Sequence, residues 1–157
     1  MTVWFLMEEL KKALTAEFRE LRLKNEDSLE TGINFFQQNL PKPDDDEEKS
    51  YFPYVVIRFE GSQDKDYQTA VADILFIIGV FDDALNYQGY RDVMNIQESI
   101  RQMLLRNRIM AGQFILDWPL RVITNDDYSD TTYPYFYGAI STKWQIPVML
   151  MDLEAYE

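Results

Sequence analysis

The side chains of this chain that could do chemistry are almost all carboxylates. Its 157 residues include 27 Asp and Glu against 15 Lys and Arg, with no His and no Cys. The candidate pairs are Asp82 with Asp83 and Asp126 with Asp127, the latter close to Asp130. Such groups could exchange protons or hold a hard divalent cation through oxygen. Adjacent residues of an extended segment point to opposite faces, which is poor geometry for shared acid–base work. Termination of a strand or loop is therefore the expected role of each pair. The run Asp44, Asp45, Asp46, Glu47 and Glu48 lacks the alternating ligands and turn glycine of a calcium loop, so it reads as solvated.

Other chemistries fall away by composition. Without His or Cys there is no imidazole base, no thiolate nucleophile, no disulfide and no zinc site of the usual kind. The six glycines stand singly at 32, 61, 79, 89, 112 and 138, and none opens a phosphate-cradling loop. We therefore assign no catalytic, cofactor-binding or metal-ligating residue and expect no cofactor. A net charge of −12 repels a phosphate backbone, which disfavours sequence-specific nucleic-acid binding. The patch Val3 to Met7 has no basic flank and meets Glu8 and Glu9 at once, unlike a signal peptide. No run approaches the ~18 apolar residues that span a bilayer.

The elements that would position these residues follow from periodicity. Met7, Leu10, Leu14, Phe18 and Leu21 recur at steps of three and four, predicting a helix over 3–24, with Thr2 as its cap and Glu8–Lys12 and Glu20–Lys24 as supporting pairs. A short strand is possible at 32–38, before a polar segment with two prolines and five carboxylates that reads as a mobile loop over 41–50. Tyr54 to Phe59 is β-branched and aromatic and stops at Gly61. The near-continuous apolar run from Ala72 to Phe81 reads as a central strand covered on both faces, by helices or by a neighbouring subunit.

A second helix follows from Tyr90 to Asn107, with Val93, Ile96, Gln97, Ile100, Met103 and Leu104 on one side. Two more strands are expected, Gln113 to Thr124 and Tyr135 to Val148; Pro119 implies an edge or a bulge in the first. In the second, Phe136, Ile140, Trp144 and Ile146 share one parity, and Ser141, Lys143 and Gln145 the other. The expected fold is α/β in the α+β sense, a mainly antiparallel or mixed sheet of four to five strands packed against two main helices. One domain over 1–157 accommodates it.

Two groups of side chains are candidates for contact between subunits. Arg101, Arg106, Arg108 and Arg121 could meet carboxylates on another chain, although Arg106 and Arg108 also suit the C-terminal end of a helix. Tyr133, Tyr135 and Tyr137, with Phe136, offer apolar area with polar tips, as interfaces and cores both use.

The order Phe52-Pro53-Tyr54-Val55-Val56-Ile57-Arg58, Ile77-Ile78-Gly79-Val80-Phe81-Asp82 and Tyr90-Arg91-Asp92-Val93, the last leading a helix through Ile100-Arg101, resembles the tail terminator, or tail completion, proteins of long-tailed bacteriophages and prophages. Phe114 to Leu120, Tyr135-Phe136-Tyr137-Gly138 and Trp144-Gln145-Ile146-Pro147 continue the likeness, which covers about residues 50 to 150.

The resemblance implies a structural subunit without an active site. It implies a homo-oligomer, a hexameric ring on the head-proximal end of the tail tube, that stops tube polymerisation and offers the docking face for the head. Its partners would be its own copies, the tube protein and the head–tail connector, with no membrane. It would be made in the host cytoplasm and kept in the virion tail. In such a ring, Asp44 to Glu48 could line the lumen and let DNA pass without sticking. The alternatives are another neck or connector protein, or, in a different class, a divalent-metal enzyme using Asp126, Asp127 and Asp130.

Overall fold

Over its described residues the chain folds as α+β, two helices on one face of a six-stranded mixed sheet, with a separate two-stranded hairpin. The computed structural model describes residues 2–41, 51–86, 88–124 and 133–148. The acidic run at 44–48 and the aspartates at 126, 127 and 130 lie outside them.

Helix α1 spans Val3–Glu17 and buries Leu6, Met7, Leu10 and Leu14. Thr2 precedes it in extended geometry, and its side chain makes no capping hydrogen bond. The helix is shorter than the periodicity predicts. Phe18 leaves helical geometry, and Leu23–Lys24 becomes strand β1, paired antiparallel with β2, Glu30–Thr31. Asn25 drives the reversal: its Oδ1 accepts from the amides of Asp27 at 2.9 Å and Leu29 at 3.0 Å. Phe18 stays in the core against Phe35, so apolar spacing survives where the helix does not. Neither expected helical pair forms: Lys12 meets Glu9, Glu8 accepts from Gln37, and Lys24 lies in β1.

The main sheet runs in the order β3-β4-β5-β8-β7-β6. Its strands are β3 (Asn34–Gln37), β4 (Tyr54–Asp64), β5 (Ala70–Phe81), β6 (Ile109–Met110), β7 (Phe114–Thr124) and β8 (Tyr135–Ile146). Six strands exceed the four to five expected, because two-residue β6 is too short to show a period. β3 pairs parallel to β4, and every other pairing is antiparallel. β4 does not stop at Gly61. The register shifts between Phe59 and Gly61, and the strand continues to Asp64. Gly61 has φ of +142°, which a side chain would resist. In β7 the register shifts between Asp117 and Arg121, around Pro119, as a residue that cannot donate to the ladder requires.

Helix α2, Tyr90–Arg106, lies beside α1 on the same face. One core joins Leu6, Leu10 and Leu14 of α1 and Ile96, Ile100 and Leu104 of α2 to Val55 and Ile57 of β4, Phe76 and Ile78 of β5, and Ile140 and Trp144 of β8. The buried Gln97 points into this layer, and its Nε2 donates to the carbonyls of Ile123 at 2.9 Å and Ala139 at 3.1 Å. Thr142 donates to the Ile74 carbonyl at 2.8 Å and accepts from Trp144 Nε1 at 3.0 Å, so the inner face has no stranded polar group there. At the helix ends, Arg106 reaches both oxygens of Glu17, at 3.0 and 3.1 Å.

Candidate functional site

With both helices on one side, the strands turn their other face away from the core, and among the described residues no helix covers it. The sheet register lays this face out in rows. Val56, Ile77, Ala139 and Ile123 stand opposite one another across β4, β5, β8 and β7, an apolar row four strands wide. The next row is Arg58, Leu75, Ser141 and Arg121, so two guanidinium-bearing residues flank it. Beyond it Asp73, Lys143 and Asp117 align, with Lys143 Nζ 3.0 Å from Asp73. That ion pair is exposed and contributes little to stability, so its effect is mainly to neutralise the row.

On the other side of the apolar row, Tyr54, Gly79 and Tyr137 align. Phe52 packs on Tyr54 and on Tyr135, each at 4.9 Å between ring centres, and on Tyr137 at 6.2 Å. Phe81 adds a further ring at 5.8 Å from Tyr135. Burial, and then the neighbouring Tyr137, push the Tyr54 hydroxyl up to about 12. Tyr135 and Tyr137 are also raised, in both cases first by desolvation. These phenols remain neutral across the physiological range, so the cluster acts as apolar area with hydrogen-bonding tips. A shallow cavity of about 290 Å³ opens between the two zones, lined by Ile77, Ile123, Thr124, Tyr137, Gly138 and Ala139.

The candidate tyrosines thus separate. Tyr135 and Tyr137 belong to the uncovered face, whereas Tyr133 donates to the Asp83 carbonyl and meets Phe136 edge-on at 6.5 Å. The arginines separate too. Arg101 pairs with Glu98 along α2, Arg106 with Glu17, and Arg108 lies over the Trp118 ring at 5.1 Å. Arg121, opposite Ser141, projects from the other side of the sheet.

The aspartates follow local geometry. Asp82 Oδ1 accepts from the Ala84 amide at 3.0 Å, the turn-forming role expected of it. What spacing did not reveal is its proximity to Asp92, ten residues on: burial first, and then the Asp82 charge, raise the Asp92 carboxyl. Two carboxylates are too few for a cation cage, and among the described residues no group of three or more potential ligands gathers. No helix among them is long and apolar enough to cross a membrane.

What the surface offers is contact area. Neither a family model nor a curated protein matches the chain.

Proposed function

We propose that this chain is a structural assembly subunit, the tail terminator of a long-tailed phage or prophage, that works as a ring on the head-proximal end of the tail tube. The observation that supports an assembly role is the sheet face turned away from both helices, where Ile77, Ala139, Ile123, Tyr135 and Tyr137 keep part of their apolar area exposed among the described residues, while Val56 and Tyr54 beside them are buried. Such area is stabilised when another protein removes it from water. The order of the segments Phe52 to Arg58, Ile77 to Asp82 and Tyr90 to Val93 points within assembly proteins to the terminators.

In this reading, copies of the chain join through sheet edges and aromatic patches, and one face of the ring caps the last ring of tube protein. Capping is a matter of complementary surface, so no catalytic group is required. The protein acts in the host cytoplasm during assembly and stays in the virion between tube and connector. Mixing the chain with polymerising tube protein and measuring tubes by electron microscopy tests it. Shorter tubes with rings at their ends are expected; unchanged lengths with bare ends would sink the proposal.

A further inference from the structure

On the sheet face turned from the helices, the rows beside the apolar one carry most of the charge. Arg58 and Arg121 stand at the two sides of one row, and Asp73, Lys143 and Asp117 form the next. Three cations against two carboxylates make this patch slightly positive on a chain of net charge −12. Two copies that approach through it escape much of the repulsion their overall charge exerts. Lys143 is matched within its row by Asp73 at 3.0 Å, and Arg58 Nε donates to the Gln38 carbonyl at 3.2 Å. Arg121 and Asp117 are left. They stand in adjacent rows on the same face of β7, yet among the described residues neither forms an ion pair. Beyond Asp117 the next row holds Val71, Gln145 and Ile115.

We propose, resting on the reading of this face as a contact surface, that a second copy packs on it face to face. The two copies are related by a two-fold axis that lies across the strands, midway between the row of Arg121 and the row of Asp117. Sheets packed with aligned strands lie about 10 Å apart, within reach of an arginine side chain. The axis exchanges the two rows, so Arg121 of each copy faces Asp117 of the other. It also exchanges the rows on either side, laying Ile123 on Ile115 and Ile77 on Val71. Ile115 is exposed and Ile77 and Ile123 are half-buried, whereas Val71 is already buried, so the apolar gain comes from the isoleucines. The other face-to-face arrangement, with its two-fold axis along the strands, would set Arg58 against Arg121, and like charges so placed oppose it. The contact is the same surface on both copies, so it stops at a pair. Such a pair withholds the face from tube protein until the copies part.

The absence of cysteine gives a clean test. Ser141→Cys places one thiol beside the axis, and Met94→Cys places one on α2, exposed on the other side of the sheet. With a short bismaleimide, the first chain is expected to crosslink to its own copies as pairs and the second to remain single. Arg121→Asp and Asp117→Arg are each expected to raise the midpoint concentration of association in sedimentation about tenfold. The chain carrying both reversals is expected to return to the parental midpoint, with far-ultraviolet circular dichroism unchanged throughout. Equal crosslinking of the two thiols, absence of Ser141→Cys crosslinks in associated protein, or a parent that is monomeric at every concentration would overturn the pairing. So would single reversals that leave the midpoint unchanged, or a double reversal weaker than either single one. Ser141→Cys pairs in a chain that leaves tube length unchanged would keep this contact and refute the terminator reading; capped tubes from a chain without that crosslink would do the reverse.

Discussion

The Tyr54 ring lies across Gly79, its direct partner on the neighbouring strand, so closely that a Cβ at position 79 would sit 2.4 Å from two ring carbons. Glycine in a central strand ordinarily weakens it, since it has no side chain to pack and loses more entropy on folding. Here the aromatic ring takes the missing volume, and Phe52 then packs on that ring. The aromatic cluster on the uncovered face therefore depends on an absence at Gly79.

Gly79→Ala should accordingly destabilise the fold, although alanine suits strands no worse than glycine. Displacing a packed ring costs about 1–3 kcal/mol. Urea unfolding should show a lower midpoint with unchanged slope. A Tyr54→Ala/Gly79→Ala double variant should lose less than the sum of the two single losses, because removing the ring removes the clash. Additive losses would mean that Tyr54 does not need the space over residue 79.

The same ring makes stability sensitive to alkali. Tyr54 titrates near 12 in the fold against a reference of 10.0, so its neutral form is favoured by folding. That contribution is whole below pH 10 and disappears as pH rises through about 12, where the unfolded chain has already released the proton. Tyr135 and Tyr137 shift the same way and add to the slope. Thermal melts should fall steadily as pH rises from 10 to 12, and Tyr54→Phe should fall less steeply than the parent. Equal slopes would show that the Tyr54 hydroxyl is not protected by burial.

Gln97 shows what could and could not be read from spacing. Its place on the apolar side of α2 was legible, because it falls among Val93, Ile96 and Ile100. Its partners were not, since Ile123 and Ala139 lie 26 and 42 residues away and only the β7–β8 pairing brings their carbonyls together. Gly138 is part of the same arrangement, as a Cβ there would come 2.6 Å from both Gln97 Nε2 and Val93 Cγ1. Gln97→Met keeps the length and removes the donor. Removing the donor from these part-buried carbonyls should cost about 1 kcal/mol in chemical unfolding. Hydrogen exchange should quicken in β7 before β5; a uniform change would argue against a local clamp.

Period reports which way a side chain turns, and for that reason α2, β5 and the alternation of β8 were legible residue by residue. It does not report where a chain reverses or what lies over a face. Phe18 kept its apolar role while the helix ended beneath it, because Asn25 offered the backbone a turn and Leu23–Lys24 found strand partners. The parallel pairing of β3 depends on an alignment with Tyr54 to Ile57 that no local pattern encodes. The apolar run of β5 implied cover on both faces, by helices or by a neighbouring subunit, and both helices pack on one. Of the candidate contact residues, composition could nominate tyrosines and arginines, but only the register distributes them between the two sides of the sheet.

That division between faces predicts opposite outcomes for two adjacent isoleucines. Ile78 is fully buried in the helical core, while Ile77 is half-buried on the uncovered face between Val56 and Ala139. Ile78→Ala should leave a cavity among packed side chains and cost about 2–5 kcal/mol, read as a lower unfolding midpoint. Ile77→Lys should shift the midpoint by less than Ile78→Ala, because its long stem can lie along the sheet while its ammonium reaches water. If the face meets tube protein, that same lysine puts a charge in the contact, and capping of tube ends should fall at least about tenfold. A folded Ile77→Lys chain that caps tubes as well as the parent would remove this face from the contact. Loss of both folding and capping would show that the face is held within the monomer.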